Sequence, residues 1–202
     1  MIKHIPNILT FGRLVLTAVF LVMILYSPGI ENKTSFLDIA FVLFVITGLT
    51  DLVDGALARK FNVTSKLGRI MDPLADKVLV CGTFLCFAII GEPTFPHLGL
   101  GPTDAKIIAW TTLGIIVLRE LSVTILRQIA ENKGIAFGAT VSGKVKMFLQ
   151  SFAIGTVMVK MAHVSEPWGN WFTIVTYLIM AFVTIFSGVR AVMRTPWKQI
   201  IK

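Results

Sequence analysis

Four aspartates, Asp51, Asp54, Asp72 and Asp76, fall within one stretch of 26 residues. Residues three or four apart share a helix face, so on helices Asp51 projects with Asp54, and Asp72 with Asp76. Carboxylates gathered in a partly dehydrated place repel one another and stay ionised only if cations hold them. Oxygen donors with no neighbouring His or Cys suit Mg²⁺ or Mn²⁺ rather than zinc, and four acids can serve two such ions. A pair of divalent ions clamps phosphate oxygens and favours in-line displacement at phosphorus. An acid freed from full coordination can also take a proton from an attacking hydroxyl. Gly55, Ala58 and Gly68 keep side-chain bulk away from the acids, leaving room for a ligand or for backbone. The competing account is a structural cluster in which Arg59, Lys60, Arg69 and Lys77 neutralise the acids, but it does not explain their regular spacing.

The elements that must position these acids are apolar. Of 202 residues, 55% are hydrophobic and 15% charged, with a mean hydropathy of +0.80, far from a soluble domain and typical of an integral membrane protein. A span needs roughly 20 apolar residues. Six runs qualify, near residues 11–30, 36–53, 73–91, 106–128, 145–163 and 170–191, and their short connections predict one compact all-α bundle over residues 1–202. Asp51 and Asp54 then stand at the end of the second span. Asp72 and Asp76 stand at the start of the third, with Pro73 in its first turn. Ahead of the first run, the mixed polar and apolar residues of "MIKHIPNILTFGR" predict an interfacial helix that turns into an uncleaved first span.

Alternating the connections from side to side sorts the basic residues. All but Lys33, Lys106 and Lys160 fall on the side of the two termini, so both termini and the aspartate stretch are expected to face the cytoplasm. The net charge of +8 therefore describes one face, suited to anionic lipid or an anionic substrate; no nucleic-acid partner is expected. Cys81 and Cys86 lie inside an apolar run and predict no disulfide. Trp168 and Trp171 suit interfacial anchors, and His4, His97 and His163 carry no assigned role.

The stretch reads D-x2-D-G-x2-A-R-x8-G-x3-D-x3-D, filled by Asp51, Asp54, Gly55, Ala58, Arg59, Gly68, Asp72 and Asp76. It resembles the signature of the CDP-alcohol phosphatidyltransferase family. That resemblance implies a homodimeric six-span enzyme that displaces CMP from a CDP-linked lipid with an alcohol, using two divalent ions at the cytoplasmic surface. It implies that Asp51, Asp54, Asp72 and Asp76 surround the metals and that Asp76 is the general base. Gly55 and Ala58 would line the cytidine and ribose pocket, near Gly68, and Arg59 would hold the nucleotide end.

"PNILTFGR", the adjacent Arg119 and Glu120, and "GKVK" with Lys144 and Lys146 are similar to the branch of the family whose acceptor is sn-glycerol 3-phosphate and whose lipid donor is CDP-diacylglycerol. An anionic acceptor needs cations, which Arg119, Lys144, Lys146 and Arg13 can supply. Pairing of Arg119 and Glu120 with other polar groups inside the bundle is the alternative use of those charges. Asn7, Thr10 and Arg13 recur every three residues and can line one side of the first helix toward the nucleotide or phosphate. Two other functions stay open: a cardiolipin synthase of the same family with phosphatidylglycerol as acceptor, and a divalent-cation transporter. Transport requires polar residues along several spans, and few appear beyond Thr47, Thr50 and Thr83. A bacterial inner membrane is the expected location.

Overall fold

In the computed structural model the chain is helical, with no strand among the described residues. The structure describes residues 5–61, 66–134 and 141–194, with side chains over 11–50, 75–134 and 143–194. Among the described residues six α-helices follow one another: α1 (Ile5–Tyr26), α2 (Lys33–Phe61), α3 (Lys66–Ile90), α4 (Pro102–Asn132), α5 (Val141–His163) and α6 (Pro167–Arg194).

Local chemistry sets the helix ends. α1 stops at Ser27-Pro28-Gly29, where the Ser27 hydroxyl donates to the Ile24 carbonyl at 2.8 Å and Pro28 has no N–H to continue the ladder. α4 opens on Gly101 and Pro102, with the Asp104 carboxylate accepting from the Gly101 N–H at 2.9 Å. It closes at Gly134, whose φ of 72° lets its N–H reach back to the Glu131 carbonyl at 3.0 Å. Three residues join α5 to α6, and a Cβ at Gly169 would lie 2.4 Å from Val164 Cγ1, so the close turn depends on glycine there.

The helices close into a ring. α1 packs on α2 and α3, α3 on α4, α4 on α6, α6 on α5 and α5 on α2, while α3 also touches α5 across the middle. All six contribute to one apolar interior, through Phe20, Phe44, Phe84, Ile116, Ile154 and Tyr177 among others. The Phe20 and Phe44 rings lie 5.4 Å apart, and Phe84 meets Tyr177 edge-on at 5.9 Å. The outside is apolar too: Leu118 is 68% exposed and Phe182 71%. Five segments, Phe11–Gly29, Lys33–Thr50, Pro102–Asn132, Gly143–His163 and Pro167–Arg194, are long and apolar enough to cross a membrane, with only 22% to 33% of each buried. Helices apolar on both faces belong in lipid.

Two expectations change, for α1 and for α3. α1 runs unbroken from Ile5 to Tyr26, so no turn separates an interfacial helix from the span among the described residues. α2 continues to Phe61, past its apolar segment Lys33–Thr50, so Asp51 and Asp54 follow that segment on unbroken helix. α3 begins at Lys66, so Pro73 stands two turns within it and not in its first turn. Falling hydropathy marks the edge of a bilayer, whereas a helix can continue into water. The loop before α4 is fastened to the bundle at one side chain. Phe95 is fully buried, with the Lys160 ammonium 4.7 Å from its ring centroid and donating to the Thr94 carbonyl.

Because the interior is close-packed, Phe84→Ala is expected to cost about 3 to 5 kcal/mol, while Leu118→Ala on the outer face costs under about 0.5 kcal/mol. Unfolding of the purified protein in detergent measures both.

Candidate active site

The aspartates are set by two helices and the connection between them. Asp51 lies ten residues before the end of α2 and Asp76 ten after the start of α3; for Asp54 and Asp72 the distances are seven and six residues. Each aspartate of α2 thus has a counterpart of α3 at nearly the same separation from the connection. The side chains of Asp51, Asp54, Gly55, Ala58, Arg59, Gly68 and Asp72 lie outside the described residues, as do those of Asn7 and Thr10. Asp76 is described and is half-buried, beside the inward-facing stripe of Ala75, Leu79 and Thr83. The donor chemistry fits hard divalent cations, since the set is all carboxylate oxygen.

Next to Asp76, the Lys77 ammonium donates to the Thr124 hydroxyl on α4, and Thr124 donates to the Glu120 carbonyl at 2.6 Å. This bridge ties the level of Asp76 on α3 to that of Glu120 on α4. At Glu120 the charges converge. Its Oε1 accepts from Arg119 Nη1 at 2.9 Å and from the Lys146 ammonium of α5. The other arm of Arg119, Nη2, donates to Ser187 Oγ of α6 at 2.7 Å. These charged side chains are well shielded, with 11% of Arg119, 14% of Glu120 and 5% of Lys146 exposed. α6 makes room for the guanidinium arm at Gly188, where a Cβ would lie 3.2 Å from Arg119 Cγ.

Of the basic residues expected from sequence, Arg119 and Lys146 come together on one carboxylate. Lys144 does not join them: two positions from Lys146 on the same helix, it points outward and is exposed. Arg13 is buried on the inward stripe of α1 that continues through Thr17, Phe20 and Ile24. Glu120 was visible in the sequence as a charge in an apolar run. Ser187, Gly188 and Thr124 carried no such signal, because a small or hydroxyl side chain in a membrane helix is ordinary and their partners lie on other helices.

A family model described as CDP-alcohol phosphatidyltransferase matches residues 3–188, and the chain belongs to that family. It is 29% identical over 196 residues to a Mycobacterium tuberculosis protein named probable phosphatidylglycerophosphate synthase, covering 96% of this chain and 82% of that one. A Bacillus subtilis protein named CDP-diacylglycerol--glycerol-3-phosphate 3-phosphatidyltransferase is 29% identical over 195 residues, covering 92% of this chain and 91% of its own length. A Rickettsia typhi protein of the same name is 27% identical, covering 92% and 93% respectively.

Lys146→Ala removes a buried partner of a buried carboxylate and is expected to lower stability by about 3 kcal/mol. Lys144→Ala, at an exposed position, is expected to change it by less than about 0.5 kcal/mol. Equal effects in detergent unfolding would contradict the different surroundings of the two lysines.

Proposed function

We propose that this protein transfers the phosphatidyl group of CDP-diacylglycerol to sn-glycerol 3-phosphate, giving phosphatidylglycerol phosphate and CMP. The observation that carries this reading is the similarity, over more than nine-tenths of the chain, to relatives that bear the name of that activity. The convergence of Arg119 and Lys146 supports it, since a phosphorylated acceptor needs cations that a neutral alcohol does not.

In this reading all six helices cross a bacterial inner membrane as a single domain, α3 included, with both termini and the active site on the cytoplasmic side and a homodimer as the working unit. Asp51, Asp54, Asp72 and Asp76 hold two divalent ions, Mg²⁺ or Mn²⁺, which supply positive charge against the pyrophosphate of the donor. Gly55, Ala58 and Gly68 leave space for the cytidine and ribose. Arg59, with Asn7 and Thr10, holds the nucleotide end. Arg119 and Lys146, with Arg13, hold the phosphate of the acceptor, and the exposed Lys144 attracts it from the cytosol. Asp76 takes the proton of the glycerol 1-hydroxyl. That oxygen bonds to the lipid-side phosphorus as the bond to CMP breaks, and CMP leaves with the bridging oxygen. Holding one substrate from the bilayer and one from the cytosol side by side supplies much of the rate.

CMP release by the purified protein, offered glycerol 3-phosphate, phosphatidylglycerol or inositol phosphate in separate reactions with CDP-diacylglycerol, tests the acceptor. Release with glycerol 3-phosphate alone is expected, stopping on chelation and returning with Mg²⁺ or Mn²⁺. Asp76→Asn is expected to reduce turnover by roughly 10³-fold or more while CDP-diacylglycerol binding is kept. Ordinary activity in that variant removes the base assignment.

A further inference from the structure

Arg119 and Glu120 are sequence neighbours, and neighbours on a helix point about 100° apart, so they do not ordinarily meet. Here they do, because the guanidinium is drawn across from both sides. Glu120 Oε1 accepts from Nη1 at 2.9 Å and Ser187 Oγ from Nη2 at 2.7 Å, in the space that Gly188 leaves open. Lys146 reaches the same Oε1 from α5. Two cations bound to one oxygen stand close enough to share one phosphate group, and without the carboxylate their repulsion would part them.

We propose that Glu120 and Ser187 are positioning residues that hold Arg119 and Lys146 as a preformed cation pair for the phosphate of the acceptor, an inference that rests on the acceptor assigned above. The bridge from the Glu120 carbonyl through Thr124 to Lys77 sets this pair at a fixed level relative to Asp76, the residue before Lys77 on α3. A preorganised pair lowers the cost of binding the acceptor and leaves the proton transfer itself to another group.

The sign of one effect separates this proposal from simple electrostatics. Glu120→Gln removes a negative charge beside an anion site. If Glu120 only offset positive charge, the variant would bind glycerol 3-phosphate more tightly. If Glu120 positions the pair, the variant binds it more weakly. The experiment is the rate of CMP release against glycerol 3-phosphate concentration at saturating CDP-diacylglycerol, with the full chain in lipid nanodiscs. Glu120→Gln is expected to raise KM for glycerol 3-phosphate roughly tenfold or more, and Ser187→Ala about threefold to tenfold. In both, KM for CDP-diacylglycerol is expected to stay put and kcat to fall less than about threefold. An unchanged or lower KM in Glu120→Gln, or a fall in kcat alone in Ser187→Ala, overturns the inference and leaves the proposed reaction standing. Failure of the unmutated protein to use glycerol 3-phosphate overturns both. Should Glu120→Gln not fold, Ser187→Ala decides alone, since it removes only one buried hydroxyl.

Discussion

A single oxygen, Glu120 Oε1, joins Arg119 of its own helix to Lys146 of α5, and Arg119 in turn reaches Ser187 of α6. The importance of this interaction follows from the surroundings. In lipid, a leucine facing a neighbouring helix and one facing an acyl chain sit in equally apolar media, so the hydrophobic effect does little to set the height of one helix against another. Polar links do that work. α4 and α5 are pinned to one level by the carboxylate, α6 is joined through Arg119 and Ser187, and α3 is added through Lys77 and Thr124. A buried ion pair is weak evidence of stability, because desolvation offsets much of its attraction. Its value here is register.

The two ends of the ring use polarity differently. At the end carrying the connections before α4 and α6, side chains mostly meet backbone: Lys160 the Thr94 carbonyl, His97 the Ser165 carbonyl at 3.0 Å, Thr34 the Ala162 carbonyl at 3.1 Å. Such contacts fasten loops and are complete in themselves. At the other end, three cations from three helices, Lys77, Arg119 and Lys146, gather around Glu120 and its backbone. Positive charge there is suited to an anionic substrate, beside the helix that carries Asp76.

The sequence disclosed what depends on local spacing. Runs of about 20 apolar residues disclosed the five segments long and apolar enough to cross a membrane among the described residues. A charge in an apolar run disclosed Arg119 and Glu120, while of the aspartate pairs read from three- and four-residue intervals only Asp76 has a described side chain. Hidden from it was what depends on tertiary contact. Ser187 is 68 residues from Arg119 and Thr124 is 47 from Lys77, so neither partnership leaves a periodic trace. Lys144 and Lys146 looked alike because composition and spacing do not say which face of α5 turns inward. The start of α3 was hidden for a related reason, since α3 carries polar residues on unbroken helix ahead of its apolar run.

This division bears on how one signature can accompany different acceptors. The aspartates stand on helical turns rather than on a loop, so their spacing along the backbone is rigid and one short stretch of sequence specifies it. In the proposed reading that stretch handles the part of the reaction common to the family, the donor's pyrophosphate and nucleotide. The cation pair is assembled from α4, α5 and α6, each contributing one or two residues with no fixed interval between them. Changing the acceptor would then require changes at scattered positions on those helices and none in the aspartate stretch. A reading of acceptor choice from sequence must therefore follow Glu120, Lys146 and Ser187 together, because none of the three is informative without the contacts that join them.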